Sequence, residues 1–416
     1  MHAATASSAT FARWSVRPAI GSDPMAIGNR KRWFQVHGWL SLPVWAVFCF
    51  VCVTGTIAVI SHELTWLTNP AARATNPDDR PAQPLPVLVD AVRDAVPGAQ
   101  IRQVMVFESY LVTAIGFSVP GKPPALAYVN PYTAEVQAIN EGLTFIGFMR
   151  SLHGWLLFPW HHSWSLGYYL VAAMSLVTLG AMTTGVVIYK RFWRAYTRPQ
   201  LRVGAGARVL LGDFHRLAGA WSLWFLLVIG LTGLWYLVQA MLWHNEVHVW
   251  DEPALVAGQD LPQAVGTPPE PIGLERALGA ANAALPEMRP RWISFPEHNR
   301  AHFSIAGTSD NFLYDQYSMR AFVNPWTGTV DATRTPDDMN ALQTIAHIAD
   351  PLHYGTLGGL WTKLIWFVFG LLLSTMSITG FVIWRKRTFG AATRDGRVKE
   401  AGGEVPARSG STLENA

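Results

Sequence analysis

Residues 37–55 read HGWLSLPVWAVFCFVCVTG, and residues 215–233 read HRLAGAWSLWFLLVIGLTG. The two stretches align without a gap: each opens on a histidine and closes, eighteen residues later, on the glycine of a Thr-Gly pair. No Asp, Glu, Lys or Arg occurs between Arg32 and Glu63, and residues 36–60 read as one apolar helix interrupted only by Pro43. A bilayer core needs about 20 apolar residues, so this run predicts a membrane span. It is too long for the apolar region of a signal peptide and lacks a small-residue cleavage site, so a retained helix is expected.

Three further uncharged runs, 151–189, 217–245 and 364–384, bring the expected spans to four. The second run exceeds one helix, and Pro159, His161 and His162 divide it into an interfacial piece and a span over 166–189. Lys and Arg near span ends stay on the cytoplasmic side. Arg30, Lys31 and Arg32 precede the first span, Lys190, Arg191, Arg194, Arg198, Arg202 and Arg208 join the second to the third, and Arg385, Lys386 and Arg387 follow the fourth. Both termini and the middle loop are therefore expected in the cytoplasm of a bacterial inner membrane, with two long segments in the periplasm. The chain divides into a cytoplasmic tail (1–32), a first span (33–61), a periplasmic domain (62–145), an interfacial segment (146–164), a second span (165–190), a basic loop (191–212), a third span (213–243), a second periplasmic domain (244–345), a second interfacial segment (346–359), a fourth span (360–385) and a cytoplasmic tail (386–416).

The duplication extends beyond the spans. Tyr128-Val-Asn-Pro-Tyr-Thr-Ala-Glu-Val136 is answered by Phe322-Val-Asn-Pro-Trp-Thr-Gly-Thr-Val330, Ser151-Leu-His-Gly by Pro351-Leu-His-Tyr, and Thr184-Gly-Val-Val-Ile-Tyr-Lys by Thr379-Gly-Phe-Val-Ile-Trp-Arg. Two tandem units of span, outer domain and span are expected, related by a pseudo-twofold axis along the membrane normal. Each outer domain reads as a small α+β module. In the first, a helix over 85–96 precedes strands over 101–107 and 110–117 and a third strand entering the turn at Asn130-Pro131; in the second, a helix over 271–285 precedes strands near 291–295, 302–305 and 319–323. Proline at the second turn position presets φ.

Composition agrees with a membrane chain. Of 416 residues only 14% are charged, against roughly 25% in ordinary soluble domains. The apolar half and the 12% aromatic content exclude intrinsic disorder, and two cysteines exclude a disulfide scaffold. The net charge of +4 comes from basic residues beside apolar runs, which topology explains better than nucleic acid does. No catalytic triad, phosphate loop or zinc motif is present. Cys49 and Cys52 form a C-x-x-C pattern inside a span, where packing is the expected role. Arg300, His302 and Tyr314 are candidate substrate contacts with no spacing that distinguishes them from ordinary surface residues.

The sequences Val36-His37-Gly38-Trp39-Leu40, Ser151-Leu152-His153, Asp213-Phe214-His215-Arg216 and Leu352-His353-Tyr354-Gly355-Thr356-Leu357-Gly358-Gly359 resemble the PepSY-associated transmembrane-helix family, over about 30–387. The resemblance implies an α-helical integral membrane protein with four main spans in two repeats, each carrying a PepSY-like α+β domain. It also implies a reductase of ferric siderophores or similar ferric chelates, with haem b held by membrane histidines. No G-x-G-x-x-G follows a strand, so the electron donor is expected to be a separate cytoplasmic molecule or a quinone.

The residues support a parallel reading. A neutral imidazole in an apolar span is expensive unless paired or ligated. The repeat relates His37 to His215 at the cytoplasmic ends and His153 to His353 at the outer face, and two imidazoles on opposite sides of a macrocycle give a six-coordinate haem. Two haems b per chain are expected. From His353 to Arg385 a continuous helix would greatly exceed a ~30 Å core, so His353 is placed outside the regular span, with a break at Gly358-Gly359. Gly55, Gly233, Gly185 and Gly380, each after a Thr, are expected to leave a slot for a flat ring. Ordinary small-residue helix contacts remain the alternative for each glycine, and a hydrogen-bonded interfacial role for each histidine. His62, His161, His162, His244 and His248 lack clean repeat mates; any of them could replace His153 as ligand or bind substrate. Two other functional classes stay open: a non-redox sensor or assembly factor binding peptides or a partner, and, more weakly, a transporter.

Overall fold

The computed structural model of the protein describes residues 24–189, 192–250, 253, 255–262 and 270–401. Lys190, Arg191 and, of the two expected tails, residues 1–23 and 402–416 lie outside the described residues. The expected first span is two helices, α1 (Pro24–Ser41) and α2 (Trp45–Val59), bent by 68° at the break between them. Pro43 has no N–H to donate and cannot continue the α1 ladder, so the continuous helix expected over 36–60 does not form. A short α3 (Ser61–Thr68) follows, and then α4 (Leu85–Ala95), strands β1 (Gln100–Met105), β2 (Thr113–Ser118), β3 (Ala125–Val129) and β4 (Val136–Asn140), α5 (Phe145–Trp155), α6 (Leu166–Ile188) and α7 (Arg194–Thr197). The second half runs α8 (Ala207–Trp221), α9 (Leu223–His244), α10 (Leu274–Ala284), β5 (Arg289–Ser294), β6 (Phe303–Thr308), β7 (Met319–Val323), β8 (Val330–Arg334), α11 (Ala341–Tyr354) and α12 (Leu360–Ala401). α6, α9 and the 360–386 part of α12 are each long and apolar enough to cross a membrane, and the bent α1–α2 pair makes a fourth if counted as one span.

The third uncharged run is likewise divided: α8 ends at Trp221 and α9 starts at Leu223, with the Ser222 side chain fully buried at the junction. His37 and His215 thus sit on α1 and α8, the helices that precede these junctions. α6 packs on α9 and α1, while α12 packs on α2 and α8; α5 rests on α2 and α6, and α11 on α9. Gly355, at φ 72°, ends α11, and Gly359, at φ 62°, completes the turn into α12. Only glycine adopts this left-handed backbone without a Cβ penalty. At its other end α11 opens on a capping box between Asn340 and Gln343.

The extramembrane modules each have four strands, one more than expected; the additional β4 and β8 are the outermost strands of the sheet and bury no residue fully, so they carry no continuous apolar run. They are joined edge to edge: β1 pairs antiparallel with β5, giving one eight-stranded sheet of order β4-β3-β2-β1-β5-β6-β7-β8. One apolar core runs across the junction. Leu88, Val89 and Val92 of α4 and Leu274, Ala277 and Ala281 of α10 pack with Val104, Ile115, Ile293 and Ile305 of the sheet. The two Asn-Pro turns are held by their asparagines: buried Asn130 and Asn324 each accept, through Oδ1, from the backbone N–H two residues on, at 2.9 and 3.0 Å. Proline presets the turn, and the Asx bond closes it.

A buried charge ties the sheet to the helices. Lys363, in the first turn of α12, donates to Glu63 (3.0 Å) and Glu108 (2.6 Å), while His62 meets the other Glu108 oxygen at 2.7 Å and the Tyr110 hydroxyl donates to Glu63 at 2.8 Å. A lysine at a helix N-terminus opposes the helix dipole, and the two carboxylates offset that cost. Burial pushes the Glu108 carboxyl up, but His62 and Lys363 together outweigh it and hold the group well below the usual carboxylate range. Its contribution is therefore fully present above about pH 4.5 and is lost as pH falls through the lowered value. Lys363→Met is expected to destabilise the protein by about 2 kcal/mol, a figure discounted for the partial exposure of the carboxylates. Thermal unfolding at pH 7 and pH 3 checks this: the gap between variant and wild type should narrow at pH 3.

Candidate functional site

Four histidines make the same kind of bond. His37 Nδ1 lies 2.8 Å from Thr184 Oγ1, His215 Nδ1 3.2 Å from Thr379 Oγ1, His153 Nδ1 3.3 Å from Thr54 Oγ1 and His353 Nδ1 2.8 Å from Thr232 Oγ1. Each threonine belongs to one of the four Thr-Gly pairs. Each hydroxyl also donates to a carbonyl of its own helix: Thr184 to Gly180, Thr379 to Met376, Thr54 to Phe50 and Thr232 to Val228. Because the hydroxyl proton is engaged there, the oxygen accepts from the imidazole. Nδ1 is then the protonated nitrogen, and Nε2 carries the free lone pair. Nothing in the sequence reading assigned the threonines a role; their fourfold recurrence before glycine was the available signal.

The histidines meet in two pairs, each drawing one member from each half of the chain. His37 and His215 have ring centroids 6.4 Å apart with planes at 90°, and His153 and His353 are 6.2 Å apart with planes at 30°. The 153/353 pair lies on the sheet side, on helices α5 and α11 that are separate from the spans; the 37/215 pair is distal. Their spacing follows from α6. Ser175 faces Gly233, next to the threonine that holds His353, and Thr184 holds His37. Nine residues of helix separate these levels by about 14 Å.

Three of the four glycines face the histidine rings themselves. A Cβ on Gly55 would stand 2.7 Å from His153 Cε1, one on Gly380 3.3 Å from His215 Cε1, and one on Gly185 3.9 Å from His37 Cε1. At these three positions the ring that bonds the preceding threonine also lies close to the glycine. Gly233 departs from the pattern: its Cβ would meet Ser175 of α6 at 2.9 Å, so this glycine serves helix packing.

The remaining candidates are engaged elsewhere. His62 belongs to the Lys363 cluster. His161 and His244 lie against opposite partners of one aromatic group, each within 5.3 Å of the Trp164 ring, and the Tyr169 hydroxyl meets His244 Nδ1 at 3.1 Å. His162 sits at φ 51° in the α5–α6 connection, and His248 is exposed after α9. Arg300 donates to the Val256 carbonyl and His302 pairs with Asp331 at 2.9 Å, so both have structural partners within the second module. Cys49 and Cys52 are free thiols on α2. Among the described residues no group of three or more His, Cys, Asp or Glu side chains gathers as a metal site. Each histidine pair could supply an ion with two ligands, one imidazole nitrogen from each ring.

Fold and site together define a multi-pass membrane protein whose helices bring together paired, threonine-oriented histidines and which carries an antiparallel sheet. Residues 34–387 match the model of the PepSY-associated TM region, and the chain belongs to that family. No curated protein matches the chain.

Proposed function

We propose that the protein is a haem-b electron carrier of the bacterial inner membrane that reduces ferric siderophores or other ferric chelates in the periplasm. In this reading the bent α1–α2 pair is one span, the molecule is a tandem of two units with four spans, the paired modules are PepSY-like domains, and both termini are cytoplasmic. The observation that carries it is the convergence of four Nδ1-anchored imidazoles into two pairs 6.2 and 6.4 Å apart. Metal–imidazole bonds run about 2.0–2.1 Å; adding roughly 1 Å from each nitrogen to its ring centre, two rings on opposite sides of one ion stand about 6 Å apart. Both pairs have that spacing. His37 with His215, and His153 with His353, would be the axial ligands.

A haem bound at each pair would supply a one-electron ferric/ferrous couple. The chain does the rest. The threonines hold each imidazole in the tautomer that presents Nε2, and such partners are worth 10- to 100-fold in metal affinity. α6 fixes the two levels about 14 Å apart, roughly half the ~30 Å bilayer core, so groups held at both pairs would divide the path from a cytoplasmic or quinone donor to the sheet side. The 153/353 pair, half-buried on helices outside the spans, is the nearer of the two to the side from which a bulky chelate that cannot enter lipid would approach. Reduction of the iron weakens its hold on hard oxygen ligands and frees it for import.

Full-length protein produced with adequate haem should contain two haems b per chain by pyridine haemochrome. When chemically reduced, it should be reoxidised by ferric chelates with matching appearance of ferrous iron in a chelator trap. Haem-free protein, or reoxidation no faster than a buffer control, would defeat the reading and leave the peptide- or partner-binding sensor as the better one.

A further inference from the structure

Three residues before each sheet-side histidine the two halves differ in charge: Arg150 precedes His153 on α5, and Asp350 precedes His353 on α11. Residues three apart share a helix face, so both side chains lie on the histidine faces of their helices. Asp350 is already occupied, accepting from the Tyr236 hydroxyl at 2.7 Å, and the Tyr236 ring packs edge-on to His353 at 5.0 Å. Desolvation pushes the Asp350 carboxyl up to about 6, which weakens it as a counter-ion. Arg150 makes no hydrogen bond or salt bridge among the described residues. Within its electrostatic reach are Tyr354, Tyr317, Asp350, Tyr236 and Tyr168, from α11, the β6–β7 loop, α9 and α6. Arg150 and Tyr354 are both exposed and His153 and His353 half-buried, so the space beside the pair is open to a ligand.

We propose that Arg150 is the carboxylate anchor of the sheet-side site, binding an anionic group beside His153 and His353 through its guanidinium, with the Tyr354 and Tyr317 hydroxyls as further donors; those of Tyr236 and Tyr168 already donate to Asp350 and Gln239. This rests on the haem reading above. A planar guanidinium matches a carboxylate through two parallel N–H···O bonds, and Asp350, the carboxylate within reach of this one, is already bonded to Tyr236 and weakened as a counter-ion. The carboxylate could belong to a haem propionate or to an incoming chelate such as ferric citrate; the chemistry is shared, and the experiment separates the sources.

Full-length wild type, Arg150→Gln and Arg150→Lys are compared for haem content, for the rate of haem transfer to excess apomyoglobin, and for binding of redox-inert gallium(III) citrate against a gallium hydroxamate that lacks carboxylates. If the anchor holds a propionate, Arg150→Gln speeds loss of one haem by about 10- to 100-fold, the worth of a charge-assisted bond, and Arg150→Lys falls between. If it holds the chelate, both haems stay and gallium citrate binding is lost while hydroxamate binding persists. Either result supports the assignment. Unchanged haem loss together with unchanged citrate binding overturns it. Should Arg150→Gln not purify as a monodisperse species, two wild-type measurements decide: uptake of haem b against its dimethyl ester, and gallium citrate against gallium hydroxamate. Equal uptake together with no preference for citrate overturns the assignment. Haem-free wild type defeats the histidine reading alone, and the gallium arm then decides Arg150.

Discussion

His37→Ala and His215→Ala should each lower the haem content from two per chain to one and leave the absorption of the sheet-side site intact. The two imidazoles come from different halves of the chain and meet only at this level, 6.4 Å apart. The sheet-side pair sits about 14 Å away along α6 with its own threonines. If the pairs hold haem as proposed, removing one ring would take away one of the two residues holding the distal group, whereas neither Thr54 nor Thr232, which orient the other pair, loses its partner. Thr184→Val is the graded companion. It keeps the ring and removes the acceptor for Nδ1–H, so haem affinity at the distal site should fall by about 10- to 100-fold without abolishing the site. Pyridine haemochrome content and redox titration of the variants check both. Loss of both haems in His37→Ala would show that the sites are not separable.

Gly55→Leu should eliminate the sheet-side haem and reduce chelate-driven reoxidation to the control rate. The first added carbon already falls 2.7 Å from His153 Cε1 and 3.2 Å from Nε2, so the ring must leave its place against α2. Moving it breaks the Thr54 bond that sets its tautomer. Gly233→Ala, at the equivalent position of the repeat, should behave differently. Its Cβ meets Ser175 of α6 at 2.9 Å, and His353 is untouched. Overpacking of that kind costs about 1–3 kcal/mol, so thermal stability should drop while haem content stays at two per chain. Identical haem loss in both glycine variants would contradict the asymmetry.

Much of this molecule was legible in the chain alone. Scarcity of charge between Arg32 and Glu63 and the other uncharged runs located the apolar helices, because a bilayer penalises charge along a whole helix. The alignment of residues 37–55 with 215–233 marked His37 and His215 as partners, and that of Ser151-Leu-His-Gly with Pro351-Leu-His-Tyr marked His153 and His353, before any contact was known. Pairing of this sort is local arithmetic, and it survives folding. Other features depended on how separate elements meet. Pro43 could be read as an interruption, but the 68° bend it permits depends on where α2 packs against α12. The β1–β5 pairing that joins the two modules leaves no local trace, since an edge strand carries the same alternation whether or not another edge covers it. Lys363 stood just outside an uncharged run and gained its role only when α3 and the Glu108 loop converged on it. The tautomer of each site histidine was settled by a threonine 99 to 164 residues away in sequence. Spacing predicted which histidines form a pair; only the tertiary structure showed what holds them, because an imidazole's free lone pair is chosen by the hydrogen bond made at its other nitrogen.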